Sequence, residues 1–82
     1  MEKKRVCIME FDRSDRIFKM LREVSLSSIP TTGNKIVIDI EGIGYVFGVY
    51  DVHYADDSGI DVYVVRQSTI SEYNDSKFPD II

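Results

Sequence analysis

His53 is the single histidine of the chain, and two carboxylates, Asp51 and Asp61, meet it if the flanking segments pair as a hairpin. An imidazole beside two carboxylates can hold a divalent ion, and the acids favour the charged ring, which makes such a spot responsive to pH. A solvated cross-strand histidine has the same neighbours, so Asp51, His53 and Asp61 are a possible metal set and no cofactor is expected. Cys7 is the one cysteine, so no internal disulfide can form, and it sits in an apolar run where a thiol packs as a small inert group. It would act with His53 only if their strands were neighbours with both side chains outward. No serine lies in a nucleophile elbow. Gly42-Ile43-Gly44 lacks the third glycine and following helix of a dinucleotide fingerprint, and Asp56-Asp57-Ser58-Gly59-Ile60-Asp61 lacks the ligand spacing of an EF-hand. An enzyme is not expected.

The elements that must position these residues read as strands. Arg5 to Phe11 is short, nearly continuous in apolar residues and closed by the turn-prone Asp12-Arg13-Ser14-Asp15. Residues 17–26 fit two periods: Ile17, Met20, Leu21 and Val24 make a helical stripe, while Phe18, Met20, Val24 and Leu26 alternate. The poor helix formers at Val24 to Ser28 favour a strand over a short helix. Ile29-Pro30-Thr31-Thr32-Gly33-Asn34 is a turn by chemistry. Ile36, Ile38 and Ile40 then alternate along the clearest strand of the chain. Gly42 to Gly44 reads as a three-residue loop with Gly44 left-handed, leading to a long strand from Tyr45 to Tyr54. A second turn, Ala55 to Gly59, returns into Ile60 to Arg66.

These loops fix an expected register. Ile40 faces Val46, Ile38 faces Gly48, Tyr50 faces Val64, Val52 faces Val62, Tyr54 faces Ile60 and His53 faces Asp61. The core face then holds Ile36, Ile38, Ile40, Val46, Tyr50, Val52, Tyr54, Ile60, Val62 and Val64. The opposite face carries Tyr45, Phe47, Tyr63 and Val49 beside Asp39 and Glu41, an apolar patch ringed by carboxylates of the kind that docks a partner. On this parity Ile38→Ala should unfold the domain, whereas Phe47→Ala should weaken binding more than stability. Gln67 to Ile82 loses strand character; Thr69 and Glu72 have capping-box spacing for one helical turn, and the tail is expected to be only partly ordered.

Size and charge bound the rest. The chain has 82 residues, 44% of them hydrophobic, and a formal net charge of −4, which describes one small domain over residues 1–82. No apolar run approaches the roughly 20 residues of a membrane helix, and the start shows no apolar signal core, so a cytoplasmic protein without membrane attachment is expected. Residues 1–35 carry eight basic and five acidic side chains, and residues 36–82 two basic and nine acidic. A phosphate-binding stripe would have to come from Lys3, Lys4, Arg5, Arg13, Arg16, Lys19 and Arg22. The overall negative charge works against it.

Ile29-Pro30, Gly33, Ile36 to Ile40, Tyr45 to Val52, His53 and Val62 to Val65 together resemble small, mostly uncharacterised SH3-like β-barrel proteins of bacteria and phages. The resemblance spans residues 5–66 and implies a first hairpin, an "IP..G" turn and a three-stranded meander. The expected fold is therefore all-β, or β-rich α+β: a small barrel of about five antiparallel strands. The expected function is a non-enzymatic interaction module that binds another protein or self-associates as an oligomer, a phage-type adaptor or inhibitor among its roles. The alternative is a nucleic-acid accessory factor using the basic N-terminal segment.

Overall fold

The computed structural model describes residues 3–56 and 59–75. Five strands run in the chain order β1 (Lys4–Asp12), β2 (Ile17–Leu26), β3 (Lys35–Ile40), β4 (Ile43–Ala55) and β5 (Gly59–Thr69), followed by one short helix, α1 (Ile70–Asp75). They form a single curled sheet in the order β2-β1-β5-β4-β3. This is the expected all-β, barrel-like architecture, and residues 17–26 are strand. It departs from an all-antiparallel barrel in one pairing: β1 lies parallel to β5, with Val6 beside Ile60 and Ile8 beside Val62.

Each turn is built by local chemistry. The Asp12 carboxylate accepts the backbone N–H groups of Ser14 and Asp15, and Arg16 closes the hairpin with its N–H on the Asp12 carbonyl. Asn34 ties the Pro30 loop by accepting the Thr31 N–H, and the loop then bonds both main-chain groups of Val49 through Gly33 and Asn34. At the end of β5 the capping box forms: Glu72 donates its N–H to the Thr69 hydroxyl and accepts the Thr69 N–H in return. The strand thus continues to Thr69, beyond Arg66, and residues 70–75 are helical. Of the partly ordered tail expected over 67–82, residues 67–75 are thus strand and helix, while residues 76–82 and the middle of the 55–59 turn lie outside the described residues.

The β3–β4 connection corrects the expected register. The turn is two residues long, with Glu41 (φ 52°) and Gly42 (φ 86°) both left-handed, the signature of a type I′ turn. Ile40 therefore faces Ile43, Ile38 faces Tyr45 and Ile36 faces Phe47. A one-residue shift sends every side chain of the partner strand to the other face. Phe47 and Val49, expected outward, are core residues with 0% and 4% of their surface exposed. Tyr45 packs against that core from the side. Tyr50 and Tyr54, expected inward, are exposed, and Val46 is buried apart from the main core cluster.

The error does not propagate into the second hairpin, because β4 carries a bulge. Val49 faces Val64 while Asp51 faces Tyr63, which leaves Tyr50 as an extra residue and restores the expected pairs Val52–Val62, His53–Asp61 and Tyr54–Ile60. A second bulge on β5 leaves Gln67 unpaired, with its amide folded over Gly48 where a Cβ would come within 2.6 Å of it. The core that results contains Val6, Ile8, Ile38, Phe47, Val49, Val62 and Val64.

Phe47 is the largest side chain in that core and has no exposed surface. Phe47→Ala should cost about 3–5 kcal/mol, comparable to Ile38→Ala and close to the whole stability of a domain this small. Urea unfolding of the two variants checks this; a loss below about 1 kcal/mol for Phe47→Ala would contradict the inward placement.

Candidate functional site

The face opposite the core is built by strand alternation and one more bulge. In β1, Val6 and Ile8 point inward, so Cys7, Met9 and Phe11 point outward. In β2 the pairing slips between Ile8–Arg22 and Met9–Met20, leaving Leu21 as the extra residue. The Asp12 turn sets Phe18 against Phe11 and Met20 against Met9 on the outward face, and the slip beyond them brings Val24 opposite Val6, so that Leu21 and Val24 both pack on the core. Tyr63 lies beside Met9 on β5, and Asp51 and His53 flank Tyr63 from β4.

The rings on this face touch one another. Phe18 meets Phe11 edge-on at 5.3 Å and Tyr63 at 5.0 Å, both between centroids, and lies 5.8 Å from Tyr50 in a stacked arrangement. His53 rests on Tyr63 at 4.5 Å. Phe18 and Tyr50 belong to strands with two others between them, so the contact requires the coiling that the bulges impose. Tyr50 and Met20 stay 63% and 62% exposed, and form the open surface of the cluster.

A row of polar groups borders the rings. Register places Glu23, Cys7, Asp61 and His53 side by side across four strands. Burial pushes the Cys7 thiol up, and the Asp61 and Glu23 carboxylates push it further, so it is a poor nucleophile. It is half-buried on the outward face, not in the core. Asp61 stands between it and His53, which excludes a cysteine–histidine dyad. The His53 Nε2 meets the Asp51 carboxylate at 3.0 Å, and that hydrogen bond, helped by the Val52 N–H, holds the Asp51 carboxyl below its ordinary range. Asp61 does not complete the set: among the described residues no three His, Cys, Asp or Glu side chains gather to hold a metal ion.

The other expected site residues are dispersed. Phe47, Val49 and Tyr45 belong to the interior, Asp39 sits on β3 beside Gly44, and Glu41 is in the type I′ turn. Of the proposed partner set only Tyr63 lies in the outward cluster, and sequence reasoning missed Phe11, Phe18, Met20 and Tyr50. The basic residues fall into two groups at the two ends of β1, about 25 Å apart at ~3.3 Å per residue. At one end are Lys3, Lys4 and Arg5, with Arg5 paired to Glu23; at the other are Arg13, Arg16 and Lys19, with Lys19 held by Asp12 and Asp15. Arg22 lies apart, on the free edge of β2.

A cleft of about 460 Å³ at the β1–β2 hairpin is lined by Glu10, Asp12, Arg13, Lys19 and Arg66 among others. Lys19 is paired with Asp12 there, and Arg13 donates to the Arg66 main-chain carbonyl at 3.3 Å. Arg66 donates through Nη2 to Glu10 at 2.9 Å, its Nε approaches the second Glu10 oxygen at 2.8 Å without hydrogen-bond alignment, and its guanidinium covers the Tyr45 and Phe47 rings at 4.5 and 5.2 Å. Among the described residues no helix is long and apolar enough to cross a membrane. Comparison with protein-family models, with curated proteins and with solved structures found no match.

The depressed Asp51 carboxyl makes a pH prediction. A carboxylate lowered in the folded state contributes stability above its unfolded value of about 3.9, and that contribution is lost as pH falls through the lower folded value. His53→Ala should move the Asp51 titration, followed by carboxyl carbon NMR shifts, upward toward the ordinary value. An unchanged midpoint would mean that His53 does not set it.

Proposed function

We propose that this chain is a non-enzymatic interaction module that binds another protein, or a second copy of itself, through the outward cluster of Phe11, Phe18, Tyr50, Tyr63 and Met20. The observation that carries the reading is the pair of large apolar side chains, Tyr50 and Met20, left more than 60% exposed on top of rings already ordered beneath them. Preordered aromatic surface loses little entropy on binding, and methionine adapts to varied partners. Asp51 and Asp61 border the patch and give the interface a polar rim. A barrel-like adaptor or inhibitor of the SH3-like kind fits this description, and a free thiol without a disulfide suits a reducing cytoplasm.

The nucleic-acid alternative has less support. Its seven basic residues do not line one surface, two of them are neutralised by carboxylates, and the aromatic face carries acids that repel phosphates.

Tyr50→Ser and Met20→Ser should each change folding stability by at most about 1 kcal/mol, while the pair together abolishes association. Sedimentation velocity over a range of concentrations reads self-association, and affinity capture compared between wild type and the double variant reads other partners. Association that survives both substitutions would remove this face from the function.

A further inference from the structure

β2 and β3 are the outermost strands of the sheet, and its curl turns their free edges toward each other. Between them lies a cleft of about 290 Å³, lined by Val24, Leu26, Ile36 and Ile38 with Arg22 and Asp39 at its rim. Among the described residues no backbone hydrogen bond joins the two strands. What spans the gap is one side chain: Arg22 donates through Nη2 to the Asp39 main-chain carbonyl at 2.6 Å. That one bond links β2 to the free edge of β3 where, among the described residues, no main-chain ladder does. The carbonyl that takes the guanidinium is an open edge acceptor, the group that a further strand would bond.

Charge and topology together define the occupant. Arg5, Lys19 and Arg66 each meet a carboxylate, whereas among the described residues Arg22 has no ion pair and is held by a neutral carbonyl alone. The cleft thus presents a guanidinium without an ion pair over apolar side chains. A strand filling it must bond on both of its edges. Among the described residues every strand already uses at least one edge, so a folded second copy could offer only one open edge of its own β2 or β3 and could not bond both sides of the cleft.

We propose that the cleft between β2 and β3 binds an otherwise unpaired, extended segment of another protein by strand addition. That segment carries apolar residues at alternate positions and a carboxylate placed to take Arg22. The guanidinium exchanges the Asp39 carbonyl for the incoming acid, the freed carbonyl accepts a strand N–H, and the curled sheet gains a sixth strand. This surface is separate from the aromatic face and independent of its role.

The test uses capped eight-residue peptides that alternate valine and threonine, with one glutamate moved through the valine positions, whose side chains share the face of Val24 and Arg22. In the full chain, amides within residues 22–26 and 36–40 should gain hydrogen-exchange protection. The best glutamate peptide should bind at least tenfold more tightly than its lysine counterpart. Arg22→Glu, at an exposed position, should reverse that preference, and Tyr50→Ser should leave it unchanged. The proposal is overturned by absence of binding at millimolar peptide, by protection confined to the aromatic face, by a glutamate preference that survives Arg22→Glu, or by loss of binding in Tyr50→Ser. Protection of the same amides by self-association without peptide would also overturn it.

Discussion

Five strands curl because Phe47 has to be covered from several sides. Its ring faces Ile36 across one ladder and Arg66 across the other, in a core shared with Val6 and Ile8 of the distant first strand. A flat sheet of this size leaves such a ring half wet, at a cost set by its apolar area. Curling brings β1 and β2 over it, and the Arg66 guanidinium, anchored by Glu10, lies over the ring. The same curl leaves β2 and β3 facing each other without pairing, so the closed core and the open edge are two results of one constraint.

Bulges divide the sheet between its two faces. Each inserts one residue, at Leu21, Tyr50 and Gln67, and each changes which side chains look outward beyond it. Without the Leu21 slip, Val24 would not lie opposite Val6. Without the Tyr50 slip, the Val52–Val62 pair would leave the core or Phe47 would. Within the outward aromatic cluster, Phe11 and Tyr63 follow from alternation, whereas Tyr50 is turned outward by its own bulge.

How much of this was legible follows from the same residues. Strand identity was legible because β-branched runs and turn chemistry are local: Asp12, Pro30, Gly33 and the Thr69–Glu72 capping box all form as composition dictates. Parity was not. A glutamate in a left-handed conformation is uncommon, so Glu41-Gly42 did not read as the shortest turn, and the glycine at 44 drew the loop one residue onward. The mixed periodicity of residues 17–26 carried the Leu21 bulge in disguise, since an inserted residue makes a strand fit neither period cleanly. The His53–Asp61 register was right because the Tyr50 bulge restores the parity that the turn had changed. Of the candidate site this kept the Asp51–His53 contact and Tyr63, and lost Phe47 and Val49 to the interior.

The parallel ladder between β1 and β5 has a kinetic side. The β1–β2 hairpin and the β3–β4–β5 meander can each assemble from neighbouring residues, and neither completes the core alone. Joining them aligns Val6 with Ile60 and Glu10 with Val64, across most of the chain, and the loop entropy of that closure is spent before Val6 and Ile8 meet Val62 and Val64. On a ribosome the amino-terminal hairpin therefore waits, its apolar side uncovered, until the last strand has left the exit tunnel.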